Sequence, residues 1–121
     1  MVRPTLPAAY PRRVVTTSIS VVTDPTLTEL LREARTIWGQ QRMALPEVAI
    51  AAGVVCGDLC RCARDHQEGR HVSADDLMRE LGNLILSAVR WSDDLGLIPA
   101  DCVTSAISAQ RAYVGSRAPT S

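Results

Sequence analysis

Residues 73–96 carry a helical pattern that is apolar around most of its circumference, and no other stretch restricts the fold as much. An α-helix advances roughly 100° per residue. Leu77, Leu81, Leu84, Ala88, Trp91 and Leu95 therefore fall on one stripe, and Met78, Ile85 and Val89 fall on the neighbouring one. Only Asp76, Glu80, Asn83, Ser87, Arg90 and Asp94 mark a polar strip. A helix with two apolar stripes needs cover on more than one side. A four-helix monomer of this size leaves one stripe wet, and a large wet apolar patch marks association. The expectation is an all-α bundle completed by further copies, a homodimer or homotetramer joined through its second and third helices.

Four helices follow from capping signals and spacing. Asp24-Pro25 reads as a helix start with Pro in the first turn, and Thr26-x-x-Glu29 is a second, overlapping one. Leu27, Leu30, Leu31, Ala34, Ile37 and Trp38 then recur at helical spacing, which predicts an amphipathic first helix to about Arg42. Pro46 suits the opening turn of a second helix, which stops near Gly69; its Gly53 and Gly57, four apart, permit close helix approach. Ser73-x-x-Asp76 is a capping box for the third helix, which halts at Gly96. Pro99 opens a fourth, carrying Val103, Ala106, Ile107 and Tyr113 and fading at Gly115. Residues 24–115 form one helical domain on this pattern, and residues 116–121 form a disordered tail.

Residues 1–23 contain Arg3, Arg12 and Arg13, several hydroxyl residues and no acid. That composition mimics a transit peptide, but a disordered or extended arm is the expectation, with residues 14–22 able to pair briefly as a strand. No apolar run approaches the roughly 20 residues that span a bilayer, so a cytoplasmic protein without a membrane partner is expected. Thirteen basic residues balance thirteen acids, which argues against nucleic acid as a ligand. Every base is Arg and none is Lys, so Schiff-base chemistry is excluded and any phosphate clamp is a guanidinium.

Two helical segments each carry half of an acid-pair pattern. Val54-Val55-Cys56-Gly57-Asp58-Leu59 lies on the second helix, and Arg79-Glu80-Leu81-Gly82-Asn83-Leu84 on the third, followed by the exit Asp94-Leu95-Gly96-Leu97-Ile98-Pro99. In order and spacing, with residues 59–79 between Asp58 and Glu80, the chain over residues 27–113 resembles a MazG-like nucleoside triphosphate pyrophosphohydrolase. The resemblance implies a dimer-building all-α fold that binds Mg2+, or Mn2+, and splits a nucleoside triphosphate into monophosphate and pyrophosphate. Such families carry Glu-x-x-Glu on one helix and Glu-x-x-Asp on the next. Mapped residue by residue, Asp58 and Glu80 keep metal-binding carboxylates, Asn83 keeps a neutral carbonyl oxygen, and Val55 keeps no ligand. The expected geometry has Asp58 and Glu80 looking at each other across a gap between the second and third helices.

The loss of two formal charges weakens magnesium binding, because an ionised ligand contributes far more than a neutral oxygen in a low-dielectric cleft. Asp65 and Asp76, on the same helix faces as Asp58 and Glu80, are candidates to compensate. The family's basic residues on the last helix are replaced here by Ala106 and Ala109. Trp38, Gln41 and Arg42 stand where similar proteins hold a base and a phosphate, although Trp38 also continues the apolar stripe of the first helix as a core anchor.

Cys56, Cys60, Cys62 and Cys102, with His66 and His71, raise a zinc or iron-sulfur alternative. Cys56 and Cys60 share a helix face, but Cys62 points roughly 120° away from Cys56, and no Cys-x-x-Cys pair exists. Buried free thiols are the expectation. The remaining alternative is a catalytically lapsed helical oligomer, a nucleotide-binding or protein-interaction scaffold, with Val55 making the former metal cleft drier.

Overall fold

A computed structural model of the protein describes residues 24–117. These residues form an all-α four-helix bundle, α1 (Leu27–Trp38), α2 (Leu45–Gln67), α3 (Ala74–Asp94) and α4 (Pro99–Arg117). The expected arm over residues 1–23, with its extended stretch 14–22, and residues 118–121 of the expected tail lie outside the described residues.

Of the two overlapping start signals, the second is the one used. Thr26 Oγ1 accepts a hydrogen bond from the Glu29 backbone N–H at 3.1 Å, so α1 opens at Leu27 with Asp24 and Pro25 ahead of it. α1 also ends earlier than the expected Arg42. Gly39 takes a φ of 86°, a left-handed conformation that glycine adopts without strain, and its N–H caps the Arg35 carbonyl at 2.8 Å. Gln41 and Arg42 consequently lie in the connection to α2. Pro46 occupies the first turn of α2, where Glu47 Oε1 accepts from the Ala44 N–H at 3.2 Å. At the start of α3 the expected capping box is present in both directions: the Asp76 N–H donates to Ser73 Oγ at 3.1 Å, and the Ser73 N–H donates to Asp76 Oδ2 at 3.3 Å. α4 runs past Gly115 to Arg117.

α3 is the element against which α1, α2 and α4 all pack. The buried apolar residues are Ala34 of α1, Val48 of α2, Val72 in the α2–α3 turn, and Val89 and Trp91 of α3. Among the described residues no large side chain is fully buried, and α4 buries none of its residues. The orientation of α3 explains this small core. Its shielded side carries Glu80, Asn83, Ser87, Trp91 and Asp94, whereas Met78, Leu81 and Ile85 are 49%, 45% and 59% exposed on the other. The polar strip is shielded together with Leu77, Leu84, Val89 and Leu95, while Met78, Leu81 and Ile85 face out.

A charge cluster joining α1 to α3 holds that orientation. Arg35 Nη2 donates to Asp93 Oδ2 at 2.5 Å and to Asp94 Oδ1 at 2.6 Å, and the Asp94 side chain is fully buried. The hydrogen bond to Asp93 does most to raise the Arg35 pKa above its ordinary value; burial opposes it, and Asp94 adds to the rise. Arg90 Nε lies 3.4 Å from Asp94 Oδ2, an ion pair out of hydrogen-bond alignment, so neither atom has a hydrogen-bond partner. The Arg90 guanidinium covers the Trp38 ring at 5.3 Å. Removing one partner from a buried ion pair is far costlier than never having had the pair, because the remaining charge is left without compensation.

Replacing Arg35 with Met keeps the aliphatic stem and strips Asp94 of its closest cation, so the unfolding free energy should fall by about 3 kcal/mol in urea titrations. A loss below about 1 kcal/mol would show that the cluster does not hold α1 on α3. Ser73→Ala should cost about 1 kcal/mol through the lost cap. The Ser73 hydroxyl, then its backbone N–H, then Arg79 hold the Asp76 carboxyl below the usual carboxylate range. That contribution is complete above the unfolded carboxylate pKa and disappears as pH falls through the depressed folded value. The stability difference between Ser73→Ala and the parent should therefore shrink in acid.

Candidate functional site

The side of α2 that packs on α3 is shielded at Val48, Ala51, Val55, Leu59, Cys62 and His66, a row at helical spacing. Val55 sits within this row, and Asp58 lies at its edge with its side chain 33% exposed. On α3, Glu80 is 13% exposed, Asn83 is half-buried and Ser87 is buried. Asp58 lines an open depression with Val54, Gly57, Cys60, Arg61 and Arg64 of its own helix, and Val55 is a partly shielded apolar residue.

Each candidate ligand has a partner on its own helix. Arg61 Nη2 donates to Asp58 Oδ1 at 3.1 Å. Arg79 Nε stands 3.5 Å from Glu80 Oε1. Ser87 Oγ donates to Asn83 Oδ1 at 3.2 Å. Both arginine side chains are more than half exposed, and exposed ion pairs of this kind contribute roughly 0–1 kcal/mol, so they yield readily to a cation. Ser87 was not a candidate from the sequence. Its spacing of four from Asn83 was the available signal, since such residues meet on one helix face.

Asp65 and Asp76, the expected compensating acids, are engaged by other partners. Asp65 accepts from Arg70 Nη2 at 2.7 Å, and Arg70 also pairs with Glu68 at the end of α2. Asp76 serves the α3 cap and pairs with Arg79 at 3.0 Å. Among the described residues no three His, Cys, Asp or Glu side chains gather as a metal-binding group. Asp58, Glu80 and Asn83 carry hard oxygen donors, the type of ligand that magnesium takes. Two carboxylates are too few for a pair of ions.

Trp38 is half-buried at the end of α1 with its ring under Arg90, and Gln41 and Arg42 are exposed in the following connection. Arg42 Nη1 donates to the Asp93 carbonyl at 2.6 Å. These groups gather at the C-terminal end of α3. Arg90 is ten residues beyond Glu80, which places the two halves of the expected site roughly 15 Å apart along the helix. Trp38 therefore has a packing role in the α1–α3 charge cluster. Ala106 and Ala109, where the resemblance would put phosphate-binding bases, line an apolar depression of about 650 Å³ with Leu97, Ile98, Asp101 and Cys102.

The thiols differ from expectation. Cys62 and Cys102 are partly shielded, but Cys56 and Cys60 are exposed, because both lie on the side of α2 turned away from α3. Gly53 and Gly57 are also exposed, and a Cβ added to either would meet nothing within 4 Å, so their close approach to another helix does not occur within the protomer. Compared with family models, curated proteins and solved structures, the chain finds no match.

Proposed function

We propose that the protein is a MazG-like nucleoside triphosphate pyrophosphohydrolase with a reduced metal centre, acting in the cytoplasm as a homodimer or homotetramer. The observation that carries this reading is the inward polar row of α3. Glu80, Asn83 and Ser87 occupy shielded positions while Met78, Leu81 and Ile85 face out. Leu77, Leu84 and Trp91 are shielded beside them, and burying polar groups costs free energy unless they are satisfied. A row of oxygen donors held inside against α2 has a physical rationale if it serves a ligand.

Asp58 and Glu80 would hold the magnesium ion, with Asn83 as a neutral third donor. When bound, the ion offsets the charge of the triphosphate and lowers the pKa of a coordinated water. Arg61 and Arg79 pair with the acids in the resting state and swing away when the cation binds. Val55 leaves one ligand position empty, and Asn83 removes a charge from another, so affinity for the metal is low.

A second reading is favoured by Val55 together with the exposed apolar rows: an interaction scaffold that keeps the bundle and has lost the chemistry. Incubation with a panel of nucleoside triphosphates and Mg2+ or Mn2+ separates the two. Monophosphate plus pyrophosphate supports the hydrolase, and Asp58→Asn and Glu80→Gln should each abolish it. No product from any nucleotide, and no thermal shift on adding metal with nucleotide, supports the scaffold. Val55→Glu combined with Asn83→Asp should strengthen metal binding and raise turnover. A folded double variant that binds no metal would overturn the assignment of these positions.

The outer faces of α2 and α3 support the proposed assembly. Ile50 and Val54 on α2, with Met78, Leu81 and Ile85 on α3, are all exposed large apolar residues. Together they present several hundred square ångströms of apolar surface, the scale of a patch used for association. Light scattering at micromolar concentration should give a dimer or tetramer mass, and Ile85→Asp should shift it toward monomer. A monomer for the parent chain would defeat the assembly.

A further inference from the structure

Free cysteine ranks among the most buried residue types, so two exposed thiols on neighbouring turns of one helix are unusual. Cys56 and Cys60 are both exposed on α2. At a spacing of four their side chains point the same way, one above the other, with Cα atoms about 6 Å apart. Cys60 lines an open depression with Val54, Gly57, Asp58, Arg61 and Arg64, and the other neighbours of the pair are small. Ala52 and Gly53 precede Cys56, Gly57 and Ala63 flank Cys60, and the space beside both glycines is open. Arg64, one turn beyond Cys60, is the nearest long side chain in that row. The thiol row lies roughly 120° around the helix from Ile50 and Val54, outside the apolar row assigned to assembly.

Three chemistries are open to such a pair. A disulfide requires Cβ atoms roughly 3.5–4.5 Å apart, and stacked helical positions hold them farther apart, so closure would distort α2. Zinc requires four donors, and among the described residues no third His, Cys, Asp or Glu joins the pair. A soft monovalent ion is satisfied by two thiolates and sits between them, so the separation that prevents a disulfide suits the ion. We propose that Cys56 and Cys60 form a two-thiolate chelate for a soft ion of the Cu(I) class. On binding, both S–H bonds break, two sulfur–metal bonds form, two protons go to solvent and the oxidation state of the metal is unchanged.

The site is independent of the nucleotide reading, and its test does not use hydrolysis. The reduced full chain, kept anaerobic, is titrated with Cu(I) against a chromogenic Cu(I) chelator, with native mass spectrometry for stoichiometry. One ion per chain is expected. Cys56→Ser and Cys60→Ser should each weaken binding at least about tenfold, because the second thiolate acts at high effective concentration. Cys62→Ser and Cys102→Ser should leave affinity unchanged, and all four variants should keep the helical circular dichroism of the parent. Affinity insensitive to Cys56→Ser and Cys60→Ser overturns the site, as does one ion shared by two chains.

Discussion

Arg35 reaches from α1 to two adjacent carboxylates at the end of α3, and the Asp94 side chain it meets is fully buried. A carboxylate in that position is tolerated only with cations against it, which ties the rotation of α3 about its own axis to the position of α1. Arg90 and Trp38 complete the arrangement, the guanidinium covering the ring on one side and pairing with Asp94 on the other. Rolling α3 to bury Leu81 and Ile85 would bring Asp94 out of this cluster and leave Arg35 buried without its partner. The charge cluster at one end of the helix thus sets the facing of residues roughly two and a half and three and a half turns away.

The consequence is a helix that shields polar residues beside Leu77, Leu84 and Trp91 and leaves part of its apolar surface outside. Glu80, Asn83 and Ser87 are shielded, and Met78, Leu81 and Ile85 are not. The same constraint leaves the protomer with a core that holds no fully buried large side chain among the described residues, and α4 packs on α3 without burying any of its residues. Inward polarity and outward apolarity are two aspects of one orientation. The first supports the proposed ligand site and the second supports the proposed assembly, so a single rotation of α3 would remove both.

Much of the architecture was readable from local signals. The Ser73 box, the Pro46 first turn and the Gly96 stop act within a few residues of each other, and the helices begin and end close to where those signals fall. The end of α1 was misjudged because Gln41 and Arg42 continue a helix-compatible composition, whereas Gly39 terminates it through backbone conformation. The candidate site residues Asp58, Glu80 and Asn83 are each partly shielded. The engagement of Asp65 by Arg70 and of Asp76 by the α3 cap required coordinates, since several partners at similar spacing compete for each acid. The exposure of Cys56 and Cys60 was unreadable for a related reason. Thiols are apolar enough to pass for core residues, and only the facing of α2 tells which side they occupy.

By itself the sequence determined the number of helices, their caps and the excess of apolar surface on α3, because those properties depend on spacing, composition and hydrogen bonds between near neighbours. Only the tertiary structure decided which way α3 faces. That choice rests on Arg35, Asp93 and Asp94, residues 58 and 59 positions apart in the chain, and long-range electrostatic compensation leaves no periodic trace in either helix alone.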